Sequence, residues 1–526
     1  MARFGHGSKD EFGAEDFGNK ATNLATMASL GIPVPPGFCI GVSVCDEFNK
    51  NNGTLPPDVP GLLKKGVEFL ETATGLTFGS TRRPLLVSVR SGAAVSMPGI
   101  METLLDIGLN RENVRGLIYM TGNPRFAWDS YRRLVESFAT TVFSMDHRPF
   151  KALIRKALVA EGVPDETELD AGTLKGLVTE YDELFLEGTR RRFPEDVGEQ
   201  LELAVKAVLR SWRSPRAESF RRLNLVKGVR GTAVTVQAMV FGNMGQHSGA
   251  GVAFTRNPST GENEPLIDFK LGVQGEDVVS GDAAPSAQLE LGDVMPEAHR
   301  ELLAAGHKLE VHFKDMQDIE FTVQEGRLYL LQSRSGKRAP LAALRIAVEL
   351  CQEGLISPEE ALCRLKDVET EAILVQKVVT DEPPLGMGVS ASTGVASGRA
   401  ALTVEMAERY AAEGTILVRE TANPDDISGI AASAGILAAR GARTSHAAVV
   451  ARQMGKVCIV NCPGLEVDIS GGRLRLGERD LREGDVLTLD GNTGAVYAGK
   501  VEVTYEKPLR LLAVVRDWKK AYEKKE

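Results

Sequence analysis

The segment GILAARGARTSHAAVVARQMGKVCIVN, residues 435–461, decides how this chain is read. GILAAR has the composition of a buried strand, Gly441 breaks it, and AAVVARQM has helical composition. Thr444 or Ser445 is placed to cap that helix, which puts His446 in its first turn. The positive end of a helix disfavours imidazolium, so the ring is kept neutral and nucleophilic. Free backbone N–H groups there accept a phosphoryl dianion. A ring nitrogen attacking phosphorus forms a covalent intermediate and splits one transfer into two. A lone histidine at a helix start is more often structural, and the other six, His6, His147, His247, His299, His307 and His312, keep that reading.

Around this segment, short strand-like runs (TILVRE, KVCIVN, DVLTLDG, AVYAG) separated by Gly-rich turns predict a β/α module over residues 388–505. A loose Pro-containing stretch, TDEPPLGMG, precedes it and closes a helical linker over 339–387. That linker reads as two helices divided at Gly354, the second with Ser357 at its N-cap, Pro358 at N1 and Glu360 at N3. Residues 1–338 read as one large α+β domain. Strand-like runs occupy its first ~110 residues, amphipathic helical spacing covers about 111–228, and strands return from Gly231. The Lys-rich end, within 506–526, reads as a solvated helix or frayed tail. The fold class is α+β / α/β multidomain.

A length of 526 residues predicts about three or four domains. Composition, 43% hydrophobic and 25% charged, excludes a disordered, collagen-like or coiled-coil chain. The net charge of −9 opposes a global nucleic-acid surface, so any bound anion must be met by local Lys and Arg. The longest nearly apolar run, around Ile430–Ala439, falls far short of the ~18 residues of a membrane span. The charged N-terminus has no signal-peptide core, and six scattered cysteines without C-x-x-C read as reduced thiols. A cytoplasmic protein is the expectation.

No Walker loop, dinucleotide fingerprint, H-E-x-x-H or zinc spacing occurs, so a nucleotide would need another cradle. Asp318 and Glu320, two apart in a strand-like run, project from one face, and Gln332 and Arg334 repeat that spacing on the next strand. A three-residue turn centred on Gly326 would set Glu320 opposite Gln332 and Asp318 opposite Arg334. Carboxylates suit Mg²⁺ and a guanidinium suits a phosphate oxygen. A cross-strand ion pair on a surface sheet would produce the same pattern. Lys20 and Arg90 read singly as a helix-start and a strand-end charge, and matter only if they converge on a polyphosphate.

Longer strings narrow the choice: GARTSHAAVVARQMGK (441–456), SVRSGAAVSMPG (88–99), NPRFAWDSYRR (123–133), GVAFTRNPSTGE (251–262) and QGEDVVSG (274–281). On these the chain resembles the pyruvate, phosphate dikinases, which are phosphoenolpyruvate-utilising enzymes. Ser445 favours them over the similar phosphoenolpyruvate synthases, which have Cys there. The resemblance implies an ATP-grasp domain with ATP between two subdomains, and a swivelling phosphohistidine domain on helical linkers. It implies that Lys20, Arg90 and Arg334 hold phosphates, and that Asp318, Glu320 and Gln332 organise Mg²⁺ and nucleotide. Gln237, Met239 and Val240 would line the adenine side, and His446 would take the phosphoryl group from ATP, with inorganic phosphate as co-substrate. Thr444 matches the site at which a regulatory protein phosphorylates some dikinases.

Two departures stand out. The family's GGMTSHA is GARTSHA here, with Ala442 and Arg443 beside the histidine. The dikinases also continue into a pyruvate-binding barrel after the position matching residue 505, whereas this sequence stops at residue 526. The expectation is therefore an ATP-dependent histidine phosphotransferase whose acceptor step needs a separate barrel protein. The alternatives are transfer to another small-molecule or protein acceptor, and a non-catalytic nucleotide-binding regulator.

Overall fold

Val87–Gly92 and Ala233–Ala238 form the central pair of an antiparallel five-stranded sheet in the computed structural model. Its spatial order is Ala2–Phe4, Gly37–Ile40, Ala233–Ala238, Val87–Gly92, Thr103–Ile107. The described residues are 1–94, 101–223, 228–275, 290–422, 426–443 and 445–523, with backbone alone at Leu223, His446, Tyr522 and Glu523. Every residue of Ala233–Ala238 is buried, as expected of a central strand covered on both faces. Helix Val59–Thr74 packs on this sheet through Gly66, where a Cβ would stand 2.5 Å from the Phe38 ring. Between strands Thr103–Ile107 and Ala233–Ala238 lie Val114–Thr121, Pro124–Phe143, Arg148–Glu161, Ala171–Thr189, Val197–Ser211 and Pro215–Leu223, all helical. Polar N-caps start three of them: Asn123 accepts from Phe126 N, Asp170 from Thr173 N and Asp196 from Gly198 N.

The chain divides into two compact units, Met1–Ser248 with Thr322–Ser333, and Gly249–Phe321 with Arg334–Glu526. This division falls inside a hairpin and does not follow the sequence-based boundary at 338. In the second unit, Gly249–Phe254 and Leu266–Leu271 pair antiparallel, in a sheet that continues to the hairpin strands Gln317–Gln324 and Arg327–Ser335 and has Leu266–Leu271 at one edge.

Helices Pro340–Gln352 and Pro358–Arg364 follow, and Ser357 and Glu360 form both bonds of a capping box. They share a core with helix Leu509–Glu523, whose Leu512 and Val515 are buried among Leu344, Ile346 and Leu350. The segment expected as a solvated tail thus has an apolar side that a Lys-rich reading obscured. Val375–Val379 and Glu502–Glu506 form a two-stranded antiparallel ribbon.

The next element is an eight-stranded sheet with a parallel centre: Val395–Ala401, Thr415–Thr421, Gly435–Arg440 and Val457–Val460. Parallel neighbours need crossovers, and helix His446–Gln453 is the connection between Gly435–Arg440 and Val457–Val460.

Candidate functional site

The start of helix His446–Gln453 is built as the sequence requires. Strand Gly435–Arg440 ends at Gly441, whose φ of +136° suits glycine, and Ser445 caps the helix by accepting from Ala448 N at 3.4 Å. His446 is therefore the first helical residue, where backbone N–H groups have no partner in the helix. Thr444 lies outside the described residues, as does the side chain of His446. The helix is seated by Ala447, Ala448 and Ala451, all buried.

Arg452, six residues beyond His446, is 1% exposed and makes no ion pair among the described residues. Its Nε and Nη2 donate to Ala391 O at 3.1 and 2.6 Å, Nε also reaches Ser259 Oγ at 3.3 Å, and Nη2 donates to Arg443 O at 3.0 Å. Nη1 has no hydrogen-bond partner among the described residues, and burial lowers the pKa of the group. Sequence reasoning missed this arginine because a charged residue near the end of a helix reads as solvated.

In the first unit, the helix carrying Lys20 lies against the end of the strand carrying Arg90. Helix Ala14–Ser29 is kinked at Gly18 (φ +73°), where a Cβ would meet Gly92 O at 2.4 Å. The helix restarts against the end of the Arg90 strand, with Asn19 N on Ala93 O (3.2 Å) and Asn19 Nδ2 on Ala94 O (2.6 Å). A Cβ on Gly92 would lie 3.9 Å from the Lys20 Cβ. Arg90 Nε is buried without a hydrogen-bond partner among the described residues. Asn23, three residues after Lys20 and so on its helix face, donates to Ser333 O at 2.7 Å, which brings in the strand carrying half-buried Gln332. The signal for Asn23 was present in that three-residue spacing.

Gln237 is buried and its amide donates to Pro35 O at 2.9 Å. Pro33 O accepts from Leu330 N and Pro36 O from Ala238 N, each at 2.9 Å, so a Pro-rich connector fastens strand and hairpin together. Met239 donates its N–H to Leu86 O at 2.9 Å, and both it and Val240 are half-buried.

In the second unit, Arg334 Nε lies 2.8 Å from Asp318 Oδ2. The hairpin turn holds two residues, Glu325 and Gly326, both with positive φ, in place of the three expected, and Arg327 already belongs to the second strand. Burial raises the Asp318 carboxyl above the usual range while Arg334 opposes that shift. Its Oδ1 is buried and has no hydrogen-bond partner among the described residues. Glu320, half-buried, follows on the same face. Among the described residues no three His, Cys, Asp or Glu side chains gather as a metal cage. A nucleotide-bound Mg²⁺ needs only one or two carboxylates besides phosphate oxygens, and the orphaned Asp318 oxygen fits that demand.

Comparison with known proteins bears on this arrangement. A family model described as the pyruvate phosphate dikinase AMP/ATP-binding domain matches residues 55–289 and 288–354. A second, the mobile domain of phosphoenolpyruvate-utilising enzymes, matches 411–494. The chloroplastic pyruvate, phosphate dikinase of Flaveria pringlei is 45% identical over 92% of this chain and 51% of its own length. Pyruvate, phosphate dikinase 2 of Zea mays is 44% identical, and pyruvate, phosphate dikinase of Clostridium symbiosum 42%, each over 92% of this chain and 56% of their own lengths. The chain spans about half the length of these curated relatives. No described helix is long and apolar enough to cross a membrane.

Proposed function

The chain belongs to the pyruvate, phosphate dikinase family, and from that premise we propose that it phosphorylates its own His446 from ATP, with inorganic phosphate as co-substrate. Residues 1–338 form the nucleotide-binding domain, 339–387 the linker, 388–505 the phosphohistidine module and 506–526 its C-terminal extension. The observation that carries the reading is the helix that begins at His446 under the Ser445 cap.

A ring nitrogen of His446 attacks the β-phosphorus, the bond to the α,β-bridging oxygen breaks, and AMP leaves. The γ-phosphoryl group passes to inorganic phosphate, giving pyrophosphate. Such a transfer rests on positioning and charge neutralisation. Lys20, Arg90 and Arg334 supply cations to the phosphates. Asp318, Glu320 and Gln332 would hold Mg²⁺, which supplies charge neutralisation at the phosphate oxygens. Gln237 shapes the adenine side through its hold on Pro35, with Met239 and Val240 beside it. Thr444 is the position for a regulatory phosphorylation, and the acceptor step falls to a pyruvate-binding barrel.

The test is incubation with β-labelled ATP, Mg²⁺ and phosphate. Acid-labile label on the protein that His446→Ala abolishes is expected. Label that survives this substitution, or no label on the wild type, defeats the reading.

A further inference from the structure

Arg443, the residue that departs from the family's GGMTSHA string, has a specific partner. Its Nε lies 3.1 Å from Asp268 Oδ1, and its Nη2 donates to Ile267 O at 3.3 Å. Both partners belong to Leu266–Leu271, the edge strand of its sheet among the described residues. The pair is largely withdrawn from water, with side-chain exposures of 24% for Arg443 and 7% for Asp268. The carbonyl of the same residue is held from inside by Arg452 Nη2 at 3.0 Å, and Arg452 in turn reaches Ser259 Oγ at 3.3 Å. The turn before His446 is thus gripped twice, and both grips end on the 254–268 region, where Phe254 also lies 5.6 Å under the Arg452 guanidinium.

The two grips differ in kind. Arg452 has no carboxylate within ion-pair reach among the described residues, so it offers shape without net charge pairing. Arg443 supplies the charge pairing, in a place shielded enough that removing one partner would strand the other away from water. A methionine there, as in the family string, could fill space and could not bind a carboxylate.

We propose that Arg443 is a positioning residue for phosphoryl uptake: its ion pair with Asp268 and bond to Ile267 O set the start of the His446 helix against the edge strand Leu266–Leu271. This rests on the histidine-kinase reading above for its catalytic consequence, while the contact itself stands without it.

The experiment compares full-length wild type, Arg443→Glu, Arg443→Lys, Asp268→Arg and the charge-swapped double variant. Label uptake from β-labelled ATP is expected to slow about tenfold or more in each single reversal. It recovers to within about threefold of wild type in the double variant, with Arg443→Lys between them. Hydrogen exchange at the amides of 266–271 and 441–443 is the second readout, and it needs no chemistry. Both segments should exchange faster in the single reversals and recover in the swap. Single reversals that label and exchange like wild type, or a swap that restores neither, overturn the proposal. If the wild type takes no label, the kinase reading fails and exchange alone decides the contact.

Discussion

Asp318 gives one carboxylate oxygen to Arg334, 2.8 Å away, and leaves the other buried without a partner. A half-satisfied acceptor of this kind is costly in an empty fold and useful to a cation. Its titration follows from burial. The native carboxyl binds a proton at higher pH than the unfolded one, so its contribution to stability declines as pH rises through that interval. Asp318→Asn, neutral throughout, should gain Tm relative to wild type between about pH 4 and pH 7 while losing Mg²⁺-dependent labelling. A Tm difference that is flat with pH contradicts this assignment.

Asn23 ties the Lys20 helix to Ser333. Asn23→Ala removes that bond and loosens the strand carrying Gln332, at a cost of about 1 kcal/mol. The KM for ATP should rise about fivefold or more, with the labelling rate at saturating ATP within a factor of about two. A loss confined to the rate would place Asn23 in the chemistry.

Arg256 is buried beneath three carboxylates, Glu310 at 2.8 Å, Glu349 at 3.1 Å and Glu353 at 2.6 Å. Arg256→Met strands these anions and should cost about 3–5 kcal/mol. Burial already raises the Glu349 carboxyl against the pull of Arg256, so without the guanidinium it protonates still more readily when folded than when unfolded, and the variant's stability should recover as pH falls from neutral toward about 5. Thermal melts across that range give the answer.

The cysteines offer a chemical reading of the core. Burial pushes the Cys39 and Cys458 thiols up to about 12 and Cys462 up to about 11, and Cys363 alone among the six is exposed. Native protein treated with iodoacetamide near pH ~8 should be modified at Cys363 first, and at all six only after unfolding. Early labelling at Cys458 would show that the strand after the histidine helix opens.

Local signals carried far. The Ser445 cap, the Ser357 box and the helices between 111 and 228 were legible because caps and apolar periodicity are written within a few residues. The meeting of Asp318 with Arg334 was expected and occurs, but the three-residue turn it was argued from is a two-residue one, so the register behind that expectation did not hold. Long-range partners were not: Arg443 and Asp268 stand 175 residues apart, and only topology joins them. The bond of the Gln237 amide to Pro35 O, 202 residues away in sequence, is likewise invisible to local spacing. The Lys-rich C-terminal segment hid Leu512 and Val515, whose burial depends on helices about 160 residues earlier.

The Pro-rich connector has a consequence for how this chain tolerates insertions. Three carbonyls within Pro33–Pro36 are each assigned to a different donor, on Leu330, Gln237 and Ala238. One inserted residue would move the rest of the row by about 3.3 Å, more than a hydrogen bond can stretch. The connector therefore works as a ruler: its spacing is fixed from both sides, and insertions that a surface loop would absorb are forbidden there.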